Sequence, residues 1–128
     1  MTPQDYLEFA ERFLSAIQTG DAEAVRACYA PDAKIWHNTD GVEQTIDQNM
    51  RLLGWFVRTL PDRKYHVIRR EALPDGFLQQ HVLEATLPDG TAWSMDACVV
   101  VRMQDGLIIR LDEYLDSGRA AALNAGRA

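Results

Sequence analysis

The sequence predicts an α+β domain, a cone-shaped fold in which a curved antiparallel sheet wraps around N-terminal helices and leaves an internal pocket. Three observations predict it. Apolar residues recur at helical spacing through much of the first half. The second half is punctuated three times by Asp-Gly, at Pro74-Asp75-Gly76, Pro88-Asp89-Gly90 and Gln104-Asp105-Gly106. The runs around these turns are rich in β-branched and aromatic residues, and Asp-Gly between such runs is a strong hairpin signal. Helices collected on one face of a sheet that must twist and curve enclose a cone, whose mouth suits a small molecule.

The elements follow in order. Thr2-Pro3-Gln4-Asp5 starts a helix with a hydroxyl cap, a proline at the first helical position and an acid three residues after the cap. Tyr6, Phe9, Ala10, Phe13 and Ile17 form its apolar stripe, and Gly20 ends it. Asp21 caps a shorter helix with Val25, Cys28 and Tyr29 on one side, closed by Pro31-Asp32. Ala33–Asn38 reads as a short strand that presents Trp36, His37 and Asn38 in a row. Asp40-Gly41-Val42-Glu43 reads as the start of a third helix, with Val42, Ile46, Met50, Leu53, Val57 and Leu60 on one side and Pro61-Asp62 at its end. Four strands then form an antiparallel meander, at about residues 63–73, 77–87, 91–103 and 107–115. A short helix over Gly118–Asn124 closes the chain.

Composition narrows the functions. The 128 residues are expected to form a single domain, residues 1–128, and 47% of them are hydrophobic. Asp and Glu number 19 against 13 Lys and Arg, a formal net charge of -6 with no basic cluster. Neither nucleic acid nor an anionic membrane surface is an expected partner. No apolar run has the length of a membrane span and the N-terminus has no apolar signal core, so a cytoplasmic location is expected. Cys28 and Cys98 form no spaced metal motif, and His37, His66 and His81 show no metal-ligand spacing. No metal and no cofactor is expected.

The stretch Leu107–Asp116, LIIRLDEYLD, carries the chemistry. Read as a strand, it places Leu107, Ile109, Leu111, Glu113 and Leu115 on one face. A carboxylate among aliphatic neighbours must be paired, hydrated or protonated. Glu113 is therefore the first candidate acid/base group, and Leu111 shares its face. Asp96 on the preceding strand is the candidate second carboxylate. Facing each other, the two would share a proton, one acting as base and the other as acid. The parity of the strand leaves the direction of Asp96 open, since Ser94, Cys98 and Val100 on one face and Trp93, Met95, Ala97 and Val99 on the other both look buried. His81 shares parity with Phe77, Leu83, Ala85 and Leu87 and should point inward, where it or Asn38 could steady an oxyanion. Asn38 could equally close the turn before Thr39. Trp36, Trp55 and Trp93 are core or interface aromatics, and if they line the pocket the ligand is flat or apolar.

The order of elements, with FLSAIQTGDAEAVRACYAPDAKIWHN and the ending GLIIRLDEYLD, resembles the nuclear transport factor 2-like superfamily over about Thr2 to Leu123. Within it the chain is most similar to the SnoaL-like and limonene epoxide hydrolase-like branches. The epoxide hydrolase pattern of two acids, an arginine, a tyrosine and an asparagine implies roles for Glu113 in LDEYLD, Asp96 in WSMDACVV and Asn38 in WHN. The arginine slot holds Ser94 and the tyrosine slot holds Trp36, both departures from that pattern. The SnoaL-like pattern implies Glu113 as acid/base, with His81 beside it. Ketosteroid isomerase-like enzymes place a carboxylate on the first strand, where this chain has Trp36-His37-Asn38.

Together these readings imply a cofactor-independent isomerase, cyclase, dehydratase or hydrolase acting on a small hydrophobic molecule. Its catalytic residues would be Glu113, Asp96 and His81, with Trp36, Asn38, Trp55, Ser94 and Leu111 around the substrate. The alternative is a binding module of the same fold without chemistry. A homodimer is expected in either case, through an apolar sheet face carrying Trp93, Met95, Val99 and Val101.

Overall fold

The computed structural model describes residues 1–125. Helix α1, Pro3–Thr19, is closed at its N-terminus by a capping box: Asp5 N–H donates to the Thr2 hydroxyl, and Thr2 N–H donates to the Asp5 carboxylate. Its stripe of Phe9, Ala10, Phe13 and Ala16 is buried. Helix α2, Ala22–Ala27, is capped by Asp21. Strand β1, Tyr29–His37, begins earlier than the sequence predicts and runs through Pro31. Its register against the last strand slips between Tyr29 and Lys34, so the proline, which has no N–H, falls where the ladder is irregular.

The third helix also starts later than expected. Gly41 has φ +66°, a left-handed conformation that interrupts a helix, and the Asp40 carboxylate accepts from Val42 N–H in a local turn. Glu43–Gln44 then form the short strand β2 against β1. Helix α3, Ile46–Thr59, starts behind a second capping box made by Thr45 and Gln48.

Strands β3, Lys64–Leu73, β4, Gly76–Thr86, β5, Ala92–Gln104, and β6, Leu107–Leu115, form the expected meander, and helix α4 spans Ser117–Asn124. The sheet order is β2-β1-β6-β5-β4-β3. Neighbours are antiparallel except β1 and β6, which run parallel, so the curved sheet is mixed rather than wholly antiparallel. That parallel pair places the first strand beside the last, with His37 opposite Glu113.

A register shift between Arg102 and Met103 resets the faces of β6. Arg110 lies opposite Arg102 and Ile108 opposite Met103, so Ile109 is the extra residue of a bulge. Ile108 is fully buried in place of Leu107 and Ile109, whereas Leu111 and Glu113 keep the inward direction that alternation predicts.

On β5 the inward face carries Trp93, Met95, Ala97, Val99 and Val101, all buried. These residues belong to the core, and the dimer face expected from them does not exist there. The opposite side of β5 presents Ser94, Asp96, Cys98, Val100 and Arg102. Both cysteines are half-buried and free, and burial pushes both thiols up. No helix among the described residues is long and apolar enough to cross a membrane.

The core falls into two clusters. One gathers Phe9, Phe13, Tyr29, Ile35, Phe77, Val99 and Leu111; the other gathers Leu60, Leu83, Trp93, Met95, Ala120 and Leu123. Between them the inward positions of the sheet are polar: His37 on β1, Glu113 on β6, and Gln79 and His81 on β4.

Candidate functional site

A cavity of about 180 Å³ opens along this polar row. Helix α1 contributes Phe13, α3 contributes Phe56, and α4 contributes Leu123. The floor is the concave face of the sheet, where Ala97 lies directly between His81 on β4 and Leu115 on β6. A small residue there leaves room above the backbone.

Glu113 and His37 form an ion pair in this wall. His37 Nε2 lies 3.0 Å from Glu113 Oε1. The His37 side chain is 9% exposed and that of Glu113 23%. Burial raises the Glu113 carboxyl, but the bond from His37 and the His37 charge hold the carboxyl below the usual range. Burial likewise disfavours the His37 imidazolium, yet the bond to Glu113, its charge and that of Asp40 raise His37 above its ordinary value. Each partner thus favours the charged form of the other, carboxylate with imidazolium.

His81 behaves in the opposite way. Burial and the Arg70 cation lower its pKa, and the charge of Glu113 only partly offsets them, so its ring is neutral. Its Nδ1 is 3.0 Å from Gln79 Nε2. Tyr65 meets the His81 ring edge-on at 5.4 Å. Burial, then the Glu113 charge, pushes the phenols of Tyr29 and Tyr65 upward, so both remain protonated. Two neutral phenols, a neutral imidazole and an acid–imidazole pair thus share one cavity. Among the described residues no three His, Cys, Asp or Glu side chains converge as a metal-ligand set.

Of the residues singled out from sequence, Glu113, His81 and Leu111 line the cavity. Asp96 does not. It is exposed on the outer face, opposite Val82, while Glu113 sits beside inward-facing Val99. The two carboxylates lie on opposite sides of the sheet and share no proton. Ser94, two residues from Asp96, is exposed on the same outer face. Trp36 also faces outward, its ring meeting Tyr114 edge-on at 5.3 Å. Asn38 is exposed and grips the backbone of Leu115, accepting from its N–H at 2.8 Å and donating to its carbonyl at 3.2 Å. Trp55 packs against the second core cluster; its neighbour Phe56 reaches the cavity instead.

The residues that sequence reasoning missed are His37, Gln79, Tyr29 and Tyr65. One signal was present for His37: Ala33, Ile35 and His37 alternate along one strand, which puts the histidine with two core residues. Its pairing with Glu113 depends on the parallel contact of β1 with β6, for which no local signal exists.

The model of a family described as the SnoaL-like domain matches residues 10–111. Among solved structures, PrhC from Penicillium brasilianum superposes with a TM-score of 0.87 at 16% identity, covering 98% of this chain and 89% of its own. AclR from Streptomyces galilaeus, a candidate hydroxylase, gives a TM-score of 0.85 at 15% identity over 94% of this chain and 85% of its own. IdmH from Streptomyces antibioticus, a candidate polyketide cyclase, gives 0.79 at 19% identity over 92% and 96%. At these identities the structures share the fold. No curated protein matches the chain.

Proposed function

The chain belongs to the SnoaL-like domain family, and from the acid–imidazole pair in its cavity we propose that it performs cofactor-independent acid/base chemistry on a small apolar carbonyl compound. The observation that carries this reading is the 3.0 Å Glu113–His37 pair in a cavity whose wall also carries Phe13, Phe56, Leu111 and Leu123 beside the polar Gln79 and His81. An ion pair there contributes little net stability compared with apolar side chains of similar volume. Its use is chemical.

Glu113 is ionised and can remove a proton from the carbon beside a carbonyl. One of its oxygens is held by His37; the other is left to take the proton. The electron pair of the broken C–H bond moves onto the carbonyl oxygen as an enolate. His81 donates a hydrogen bond to that oxygen, and the His37 imidazolium adds a fixed positive charge nearby. Return of the proton from Glu113 to another carbon is an isomerisation. Attack of the enolate carbon on a second carbonyl of the same molecule is a cyclisation: the π pair of that carbonyl moves onto its oxygen, and the resulting alkoxide takes back the proton held by Glu113. The cavity sets the size: at about 180 Å³ it is close to the engineered space of about 150 Å³ that takes up benzene. A substrate of one ring fits within that space.

The test is hydrogen–deuterium exchange at the α-carbon of monocyclic ketones and enones in heavy water, followed by NMR. Wild-type protein should accelerate exchange for some member of the set and E113Q should not. Exchange that survives in E113Q overturns the reading. A ligand that binds without any exchange favours a second reading, a binding module, because the lowered pKa of Glu113 makes it a weaker base than one poised near neutrality.

A further inference from the structure

We propose that Gln79 and Arg70 are positioning residues that lock His81 in its Nε2–H tautomer, so that His81 serves as a hydrogen-bond donor and not as a base. The contact between Gln79 Nε2 and His81 Nδ1, at 3.0 Å, does not fix the tautomer by itself. Either ring nitrogen of a neutral imidazole can carry the proton, and the oxygen and nitrogen of an amide are interchangeable in shape.

Arg70 removes the ambiguity. Its Nε donates to Gln79 Oε1 at 2.9 Å. A guanidinium has donors only, so the amide atom facing Arg70 must be the oxygen. The amide NH₂ therefore faces His81. Both hydrogens of that group are donors, so Nδ1 must accept. In a neutral ring the proton then resides on Nε2. Burial and the Arg70 charge both disfavour a second proton on the ring, in keeping with this assignment.

Arg70 is itself anchored. Its Nη1 donates to Glu11 Oε2 on α1 at 2.7 Å, and its side chain is 16% exposed. The chain Glu11–Arg70–Gln79–His81 thus runs from the helix layer through β3 to β4, and each link has one allowed polarity. A carboxylate accepts, a guanidinium donates, an amide accepts at one end and donates at the other, and the imidazole accepts at Nδ1.

The consequence is a division of labour across the cavity. Glu113 on β6 and His81 on β4 are separated by β5, about 9–10 Å between backbones at ordinary strand spacing. The basic group is at one side and a neutral donor at the other. A ligand spanning them must present a hydrogen-bond-accepting oxygen to His81. This catalytic consequence rests on the acid/base reading above; the tautomer itself does not.

The experiment is nitrogen-15 NMR of the histidine rings in the whole protein, with His81 identified by the signals lost in H81Q. Wild-type His81 should show an unprotonated, pyridine-like Nδ1 and a protonated, pyrrole-like Nε2 at neutral pH. In Q79E the new carboxylate can only accept, so Nδ1 must acquire a proton, and the pattern should reverse or become that of an imidazolium. Q79L, which imposes neither polarity, should give a mixture of tautomers and controls for structural damage. A wild-type ring protonated on Nδ1, or a Q79E ring with the wild-type pattern, overturns the proposal. Exchange activity is read separately. A correct tautomer without Glu113-dependent exchange sinks the acid/base reading and leaves this one standing; exchange in a protein whose His81 is protonated on Nδ1 does the reverse. Where both hold and the Q79E ring is the reversed tautomer, with Nε2 unprotonated, the variant should lower the exchange rate by about 10²–10³-fold, the loss typical of one missing oxyanion donor; an imidazolium, which keeps its Nε2–H, should not show that loss.

Discussion

Glu113→Gln removes one charge and keeps the shape. In the wild-type protein burial opposes the charged form of both His37 and Glu113, and their mutual bond overcomes it. In the variant the amide oxygen can still accept from His37, but the negative charge is gone. Burial, the largest influence on His37, then outweighs the smaller upward pull of Asp40. The His37 pKa should move from above its ordinary value of 6.5 to below it. Proton NMR titration of the three histidines reads this directly.

The stability effect follows from the same pair. Breaking a fully buried ion pair costs about 3–5 kcal/mol. Here the carboxylate side chain is 23% exposed and the amide retains the hydrogen bond, so the loss should be smaller, about 1–2 kcal/mol. For a chain of this length that is a fall in Tm of about 3–10 °C. The sign with pH is fixed by linkage. The raised His37 pKa gives stability that is complete below 6.5 and is lost as pH rises through the folded value. The lowered Glu113 pKa gives stability that is complete above 4.5 and is lost as pH falls through its folded value. The pair contributes most between 4.5 and 6.5, and the gap between wild type and E113Q should be widest there and narrow at alkaline pH. A His37 that titrates in E113Q at or above its wild-type value refutes the pairing, as does a Tm gap that does not change with pH.

Four further outcomes are expected. Asp96→Asn should leave the His37 titration and α-proton exchange as in wild type, since Asp96 is exposed on the far face of the sheet; a shifted His37 curve would contradict that placement. His81→Gln should flatten the acid side of the stability profile, because a buried neutral histidine with a lowered pKa stabilises fully above 6.5 and loses that contribution as pH falls through its folded value; urea unfolding across this range measures it. Arg63→Met should cost about 2–3 kcal/mol in urea unfolding: the guanidinium, in a residue only 7% exposed, donates to the carbonyls of Leu60 at 3.3 Å and Gln18 at 2.8 Å, at the ends of α3 and α1. Gly76→Ala should cost about 3 kcal/mol or more, because its Cβ would stand 1.8 Å from the backbone oxygen of Val101 and β4 and β5 would have to part; unchanged stability would mean that the strands are farther apart.

Local patterns carried most of the fold. The Thr2 capping box, the Asp-Gly turns and the alternation of β4 are decided within a few residues, and each is where the pattern puts it. Errors arose where a distant partner decided. Gly41-Val42-Glu43 looks like a helix start, but β1 draws Glu43 and Gln44 into the sheet. Asp96 could point either way from its neighbours alone, because Cys98 and Val100 beside it are half-buried and mimic a second buried face. Glu113 was legible because a carboxylate among Leu111 and Leu115 is an anomaly on any face. His37, its partner, sits 76 positions away and meets it only through the parallel pairing of β1 with β6.

The polar row across the sheet shows where this chain departs from what stability alone would select. His37, Gln79, His81 and Glu113 occupy inward positions that alternation would fill with aliphatic residues, and they split one core into two clusters. Each group is satisfied in a specific way: Glu113 by His37, His81 by Gln79, and Gln79 by Arg70. The two histidines differ in charge for a geometric reason. His37 is opposite a carboxylate; His81 is tied through an amide to a guanidinium. Burial disfavours both imidazoliums: the bond to Glu113 overcomes it at His37, whereas at His81 burial prevails, with the Arg70 cation adding to it. Acid/base chemistry needs that asymmetry, whereas a passive apolar pocket would be more stable without any of the four.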